Sequence, residues 1–155
     1  MYSSRMPDPS ETSVTIEPTC CVRGQLRVPG DKSISHRYAL LAAMANGTST
    51  IHNYAPGADC AATLRCLQAL GVDIQIVQSS TNKPATIMVV GRGRQGLRAS
   101  SSVVDAENSG STMRLLTGIL AAHPFKTVIT GDASLRRRPM GRCAVKQDRP
   151  RARKR

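Results

Sequence analysis

The stretch Val28-Pro29-Gly30-Asp31-Lys32-Ser33-Ile34-Ser35-His36-Arg37 decides the fold of this chain. Residues 24–28 before it alternate apolar and polar side chains, which predicts a short strand, and residues 38–46 after it have the spacing of a helix. The Pro-Gly pair is typical of a sharp bend, and Ser33 is predicted to be the N-cap. We therefore expect a turn that leads from a strand into a helix.

Such a turn has the chemistry of an anion site. The free N–H groups in the first turn of a helix point outward and carry partial positive charge. Lys32 adds a point charge, and Arg37, four residues after Ser33 and on the same helix face, adds a planar guanidinium group. The alternative is a capped helix whose cations are merely solvated. The stretch is not a P-loop, because Asp31 separates Gly30 from Lys32.

The composition favours a layered α/β fold, and the length suffices for one domain or for a fragment of a larger protein. Only 3% of the 155 residues are aromatic, so the core must consist mainly of Ala, Leu, Val and Ile. No apolar run approaches the roughly 20 residues of a membrane helix, and residues 1–19 lack the apolar centre of a signal peptide. We therefore expect a cytoplasmic protein without a membrane partner, in which the five cysteines stay reduced.

The strong basicity of the chain belongs to its last twenty residues. The net charge is +12, but residues 136–155 contribute +9 of it. Three regions are predicted: a disordered N-terminus at 1–13, an α/β domain at 14–142, and a basic tail at 143–155 that is expected to be disordered.

Residues 24–90 predict the order strand, helix, strand, helix, strand, strand. The strands after the first are predicted at 49–54, 72–77 and 85–90, and Asp59 lies at the start of the second helix. Leu64, Leu67 and Leu70 form the apolar stripe of that helix. This order predicts helices that cover one face of a small mixed sheet.

A second helix start has the same character as the first. Residues 105–111 lead into a helix predicted at 112–122, and Gly110 leaves its backbone N–H accessible to a ligand. Arg114 follows one turn later on the same face. The residues alone leave an ordinary capping motif as an equal explanation.

A third turn follows a strand predicted at 127–130. The loop Gly131-Asp132-Ala133-Ser134-Leu135-Arg136-Arg137-Arg138-Pro139-Met140 contains three consecutive arginines. We expect Pro139 at the first position of a further helix, which would aim Arg138 at that helix start.

The glycine-rich run at 91–96 matches G-x-G-x-x-G but is not expected to bind a dinucleotide. That fingerprint requires a helix immediately after the glycines, whereas residues 97–104 contain three serines in a row and β-branched residues. A glycine-rich turn is the better interpretation.

The strings at 29–37 and 131–140 together resemble the N-terminal third of the EPSP synthase family, the 3-phosphoshikimate 1-carboxyvinyltransferases of the shikimate pathway. Asn108-Ser109-Gly110 fits the middle motif of that family, although Ser111 stands where the family usually has Thr. The resemblance runs from about Val14 to Arg142. It implies an α/β (α+β) fold, the inside-out barrel of the enolpyruvyl transferases, which is built of βαβαββ units. This chain would supply about one and a half of these units.

The resemblance also implies a reaction and a set of binding residues. Members of the family move the enolpyruvyl group of phosphoenolpyruvate onto a hydroxyl of shikimate 3-phosphate and release phosphate, with no metal and no organic cofactor, as monomers. No residue of this chain is assigned a catalytic role. The implied contacts are Lys32, Ser33 and Arg37 for shikimate 3-phosphate and Lys32, Gly110 and Arg138 for phosphoenolpyruvate. Asp59, Asn108 and Arg114 are further candidate residues, of which Asp59 and Arg114 would orient the substrates.

The chain departs from the family pattern near its C-terminus. From Cys143 the family's apolar helix is replaced by a run of cations, and the family's second-lobe residues have no counterparts here. The resemblance therefore predicts a truncated chain that is inactive alone. Two alternatives stay open: a relative that acts on a UDP-sugar, and non-specific binding of nucleic acid or another polyanion through the basic tail.

Overall fold

The computed structural model describes residue 18 and residues 20–26, 28–80 and 83–141. The two regions predicted to be disordered, 1–13 and 143–155, lie outside these ranges. The elements in chain order are α1 (Lys32–Met44), β1 (Asn46–Tyr54), α2 (Ala58–Ala69), β2 (Asp73–Ser80), β3 (Lys83–Arg92), β4 (Val104–Asp105), α3 (Gly110–Leu120), β5 (Ile129–Thr130) and α4 (Ala133–Arg136).

The main sheet has the strand order β1-β3-β2. Both neighbours of β3 are antiparallel to it, with Thr48 opposite Val90 in one pair and Ile74 opposite Val89 in the other. The predicted mixed sheet is therefore wrong for this layer, since β1 and β2 run in the same direction but are separated by β3. A parallel pair does occur between β4 and β5, which form a separate two-stranded sheet.

Helices α1 and α2 lie on one face of the main sheet, and their apolar side chains form the core with it. The predicted stripe of α2 is confirmed, because Leu64, Leu67 and Leu70 are all buried. Ile87 and Val89 of the central strand are fully buried beneath the helices. Each such side chain contributes about 2 kcal/mol by leaving water. The predicted arrangement, in which the helices cover one face of the sheet, is thus confirmed.

The start of α1 differs from the prediction in two respects. Asp31, not Ser33, is the N-cap: its Oδ1 accepts a hydrogen bond from the N–H of Ile34 at 2.7 Å. Ser33 lies inside the first turn, because the cap must precede the helical residues. The strand predicted at 24–28 is also wrong, since residues 24–26 and 28 have no regular structure. Alternation makes a strand only where a neighbouring strand pairs with it.

The turn before α1 is anchored on the end of β1. A Cβ atom on Gly30 would fall directly on the carbonyl oxygen of Asn53. Only glycine allows this approach of two backbones. The contact fixes where α1 begins relative to the sheet.

The later part of the chain confirms some predictions and corrects others. The glycine-rich run forms a turn in which the N–H of Gly96 donates to the carbonyl of Gly93 at 2.9 Å, and no helix follows at 97–103. Helix α3 begins at Gly110, two residues earlier than predicted. Pro139 does not open a helix; α4 lies before it and begins after the N-cap Asp132, whose side chain accepts from the N–H of Leu135. No helix in the described ranges has the length and apolar character needed to span a membrane.

Candidate anion-binding site

The starts of α1 and α3 face each other across a cavity of about 210 Å³. Its lining combines small polar residues with two cations: Ser33, His36 and Arg37 from α1, and Gly110, Ser111, Arg114 and Leu115 from α3. These two groups are far apart in the sequence, and the packing of α3 against α1 brings them together. The cavity has the size of a small metabolite rather than of a peptide.

On the α1 side, the guanidinium group of Arg37 is held over the first helical turn. Its Nη1 donates to the carbonyl oxygen of Ser33 at 2.9 Å. Lys32 forms an ion pair with Asp59 at the start of α2, and the two side chains are 59% and 28% exposed. An exposed pair of this kind contributes little to stability. The ammonium group of Lys32 is therefore easily released toward a stronger anion.

On the α3 side, two guanidinium groups converge on Gly110. If this residue carried a Cβ, Nη1 of Arg114 would lie 2.9 Å from it and Nη1 of Arg138 would lie 3.0 Å from it. Gly110 is the first residue of α3, where backbone N–H groups have no partner within the helix. An anion at this position would meet both the helix start and the two cations.

The position of Arg138 is set by a chain of polar contacts through α4. Its Nη2 donates to Oδ1 of Asn108 at 3.0 Å, and Nδ2 of Asn108 donates to Asp132 at 2.6 Å. Asp132 is in turn the N-cap of α4, and its Oδ1 accepts from the N–H of Leu135 at 2.7 Å. The hydrogen bond from Leu135, followed by that from Asn108, holds the pKa of Asp132 below its ordinary value. The arginine predicted to aim at a helix after Pro139 is thus directed at the start of α3 instead.

The residues predicted from the sequence are therefore found in three groups. Ser33, Arg37, Gly110 and Arg114 line the cavity itself. Asn108 and Arg138 lie at its edge beside Gly110. The Lys32–Asp59 pair stands at the neighbouring starts of α1 and α2.

A buried polar chain that runs inward from His36 at the cavity wall was not predicted from the sequence. Nδ1 of His36 lies 2.6 Å from Oγ1 of Thr63, which lies 2.7 Å from Oγ1 of Thr112, which lies 2.6 Å from Oγ of Ser109. All four side chains are buried. The contacts join α1, α2 and the N-cap of α3, and two of them bridge 27 and 49 residues of sequence, so no local pattern could reveal them.

The site offers cations and backbone N–H groups, which are the groups that suit an anion. In the described part of the chain, no group of three or more His, Cys, Asp or Glu side chains is placed to hold a metal ion. Burial lowers the pKa of His36 below 6.5, against the opposing effect of Asp59 and with a smaller contribution from Lys32 and Arg37. The positive charge of the cavity therefore comes from arginine side chains and helix starts, not from histidine.

The fold and the site together define an α/β protein that gathers helix starts and arginines around one cavity. The family profile described as EPSP synthase (3-phosphoshikimate 1-carboxyvinyltransferase) matches residues 16–145, so this chain belongs to the EPSP synthase family. The resemblance drawn from the sequence is confirmed, and the match continues past Arg142 into the stretch interpreted as a tail.

Curated relatives and solved structures agree with this membership. The 3-phosphoshikimate 1-carboxyvinyltransferase of Desulforudis audaxviator is 52% identical over 130 residues, which cover 84% of this chain and 29% of the relative. The protein of the same name from Solibacter usitatus is 52% identical over 127 residues, covering 82% and 28%. A solved EPSP synthase from Acinetobacter baumannii superposes with a TM-score of 0.69 at 42% identity and covers 77% of this chain but 26% of that one. The chain thus spans little more than a quarter of these relatives.

Proposed function

We propose that this chain forms the part of an enolpyruvyl transfer site that binds the anionic groups of phosphoenolpyruvate and shikimate 3-phosphate. The observation that carries the proposal is the convergence of Arg114 and Arg138 on Gly110, opposite Ser33 and Arg37. Two substrates that are both polyanions must be brought together against their mutual repulsion. Preorganised cations and backbone N–H groups offset that repulsion.

The two sides of the cavity are proposed to take different substrates. Ser33 and Arg37 would bind shikimate 3-phosphate, where the guanidinium plane suits a carboxylate or phosphate. Gly110 and Arg138 would bind phosphoenolpyruvate. Lys32, released from Asp59, would reach both, while Asn108 and Arg114 would orient the cations around Gly110.

The chemistry proposed for the assembled site is addition followed by elimination. A hydroxyl oxygen of shikimate 3-phosphate adds to C2 of phosphoenolpyruvate as the hydroxyl proton is lost, and a proton adds to C3. Phosphate then leaves C2 as a proton is lost from C3, which restores the double bond. The chain spans 29% of its relative from Desulforudis audaxviator, so we propose that it does not turn over alone. We also propose that it binds substrate as a cytoplasmic monomer.

Calorimetric titration of the purified chain with phosphoenolpyruvate tests the binding role. Arg138→Ala should weaken binding about tenfold, because it removes a charge-assisted contact. Arg94→Ala is the matched control: it removes the same charge from the exposed glycine-rich turn and should leave affinity within about twofold. Equal losses in both variants would reduce the binding to general electrostatics.

A phosphate-release assay that requires both substrates tests the absence of turnover. We expect no release above that of a mock preparation from the same host. Release that persists after chromatographic removal of the host enzyme, and that disappears in Arg138→Ala, would overturn the proposal that the chain is inactive alone.

A further inference from the structure

We propose that His36 is a positioning residue that holds the start of α3 in place by accepting the last of a series of hydrogen bonds running from Ser109 through Thr112 and Thr63. The inference rests on the proposed function, because the segment held in this way carries Gly110. It assigns His36, which also lines the cavity, a positioning role that acts through the start of α3.

The direction of the series follows from counting protons. Each of the three hydroxyl groups has one proton to donate, and buried polar groups are costly when unpaired. If Ser109 donates to Thr112, Thr112 to Thr63 and Thr63 to Nδ1 of His36, every hydroxyl proton has an acceptor within 2.7 Å.

The other arrangements use weaker contacts. If Nδ1 of His36 donated to Thr63 while Thr112 also donated to Thr63, the proton of Thr63 would have to go to the carbonyl of Asp59 at 3.4 Å. If the whole series ran in reverse, the Ser109 hydroxyl would be left without an acceptor among the hydrogen bonds of the described residues. The short contacts therefore favour the neutral tautomer in which Nδ1 accepts and the proton resides on Nε2.

The surroundings of the ring agree with a neutral state. His36 is fully buried, and Nε2 has no hydrogen-bond partner among the described residues. Lys32 and Arg37 on α1 and Arg114 on α3 are cations near the ring, while Asp59 on α2 is the opposing anion and is already paired with Lys32. A second proton on the ring would thus be a buried charge without a partner of its own.

The series begins at Ser109, next to the place where the ligand is proposed to bind. Oγ of Ser109 accepts from the N–H of Thr112 at 3.2 Å, and the Ser109 carbonyl accepts from the N–H of Met113 at 3.1 Å. Gly110 lies between the cap and these two residues. A fixed Ser109 therefore fixes the direction of the backbone at Gly110, against which Arg114 and Arg138 are placed.

Nitrogen NMR of the imidazole ring tests the tautomer directly. We expect Nε2 of His36 to carry the proton and Nδ1 to lack one at neutral pH. A protonated Nδ1 would overturn the proposal, whatever the ligand affinity of the chain.

Variants along the series test its effect on α3. Thr63→Val removes one hydroxyl at almost constant volume, and His36→Leu removes the final acceptor. Both should speed amide hydrogen exchange at Thr112 and Met113 roughly tenfold, since an interior hydrogen bond is lost. Both should also weaken binding of inorganic phosphate and of phosphoenolpyruvate, used as separate probes.

Two further variants separate positioning from general stability. His36→Asn places a carbonyl oxygen near the position of Nδ1 and should restore slow exchange and phosphate affinity. Ile74→Val removes one methylene from the core on β2 and should lower stability without affecting Thr112 or Met113 selectively. The proposal is wrong if His36→Asn behaves like His36→Leu, or if Thr63→Val behaves like Ile74→Val. If the unmodified chain binds neither probe, the proposed function fails, while the exchange rates and the tautomer still decide the role of His36.

Discussion

The guanidinium groups of Arg114 and Arg138 approach the same side of Gly110, although one belongs to α3 and the other follows α4. Their Nη1 atoms lie 2.9 and 3.0 Å from the position that a Cβ of residue 110 would occupy. The ion pairs in the described part of the chain are Lys32–Asp59 and Arg65–Glu107, so no carboxylate there forms an ion pair with these two arginines. Like charges held together in this way repel, and the attraction of both to a bound anion would offset that repulsion.

Gly110→Ala should therefore impair binding rather than folding. The new methyl group would push aside the ends of two flexible side chains, and the backbone at this position needs no unusual angle. We expect affinity for phosphoenolpyruvate to fall about tenfold, because both guanidinium groups move. Isothermal calorimetry and a thermal melt of the same preparation measure the two effects.

Gly118→Ala is the matched control on the same helix. A Cβ there meets nothing within 4 Å, so the substitution should stabilise α3 by about 0.5–1 kcal/mol and leave affinity unchanged. A loss of affinity in both variants, or in neither, would contradict the role given to Gly110.

Gly30→Ala should destabilise the fold strongly. Its Cβ would collide with the carbonyl oxygen of Asn53, which is backbone and cannot swing away. We expect destabilisation of about 3 kcal/mol or more, measured by urea unfolding followed by circular dichroism. Gly24→Ala, with open space around its Cβ, should change stability by less than about 0.5 kcal/mol. A folded Gly30→Ala variant of normal stability would show that the contact between the turn and β1 is not needed.

Asp31→Ala should lower the free energy of unfolding, because it removes the side chain that caps α1. The hydrogen bond from Ile34 to Oδ1 is lost, which typically costs about 1 kcal/mol. Asp31→Asn keeps an oxygen at the same place and should retain most of the stability. If Ser33→Ala proved the more damaging of the two alanine variants in urea unfolding, the cap assigned to Asp31 would be wrong.

The stability of the chain should depend on pH through His36. Burial holds the pKa of this residue below 6.5 in the folded state, with Asp59 opposing and Lys32 and Arg37 adding to the effect. The unfolded chain then binds more protons than the folded chain between the folded pKa and about 6.5, so the free energy of unfolding falls as the pH decreases through this window. Above about 6.5 the contribution is complete.

The difference between the unmodified chain and His36→Asn isolates this effect from the titration of carboxylates. Urea unfolding at several pH values between about 7 and 5 should show the unmodified chain losing stability relative to the variant as the pH falls. A difference that stays constant over this range would contradict a neutral buried ring.

Local patterns in the sequence predicted the helices well and the contacts between them poorly. Two predictions that depend only on neighbouring residues are confirmed: the buried stripe of Leu64, Leu67 and Leu70, and the turn formed by the glycine-rich run. The cap was assigned to Ser33 wrongly because Asp31, two residues earlier, is an equally good capping residue, and capping propensity does not separate the two. The strand predicted at 24–28 failed because pairing depends on a partner elsewhere in the chain.

The sequence singled out the residues of the candidate site one by one but did not predict their arrangement. Lys32, Arg37, Gly110 and Arg138 stood out because cations and glycine at helix starts have a known chemistry. The sequence did not reveal the series of hydrogen bonds that places Arg138 beside Gly110. This series runs through Asn108 and the cap of α4. The contact between Thr63 and Thr112 is equally non-local, because nothing in the sequence around two hydroxyl residues indicates that they will meet.

The central claim is that helix starts distant in the sequence bind one set of anions together, and an NMR titration of the labelled chain with phosphoenolpyruvate and shikimate 3-phosphate tests it most directly. The account predicts that the backbone amides of Ser33 and Gly110 shift with a common dissociation constant, and that Gly118, on the same helix as Gly110, does not shift. Shifts confined to the exposed arginines of the glycine-rich turn, with Ser33 and Gly110 unchanged, would contradict it.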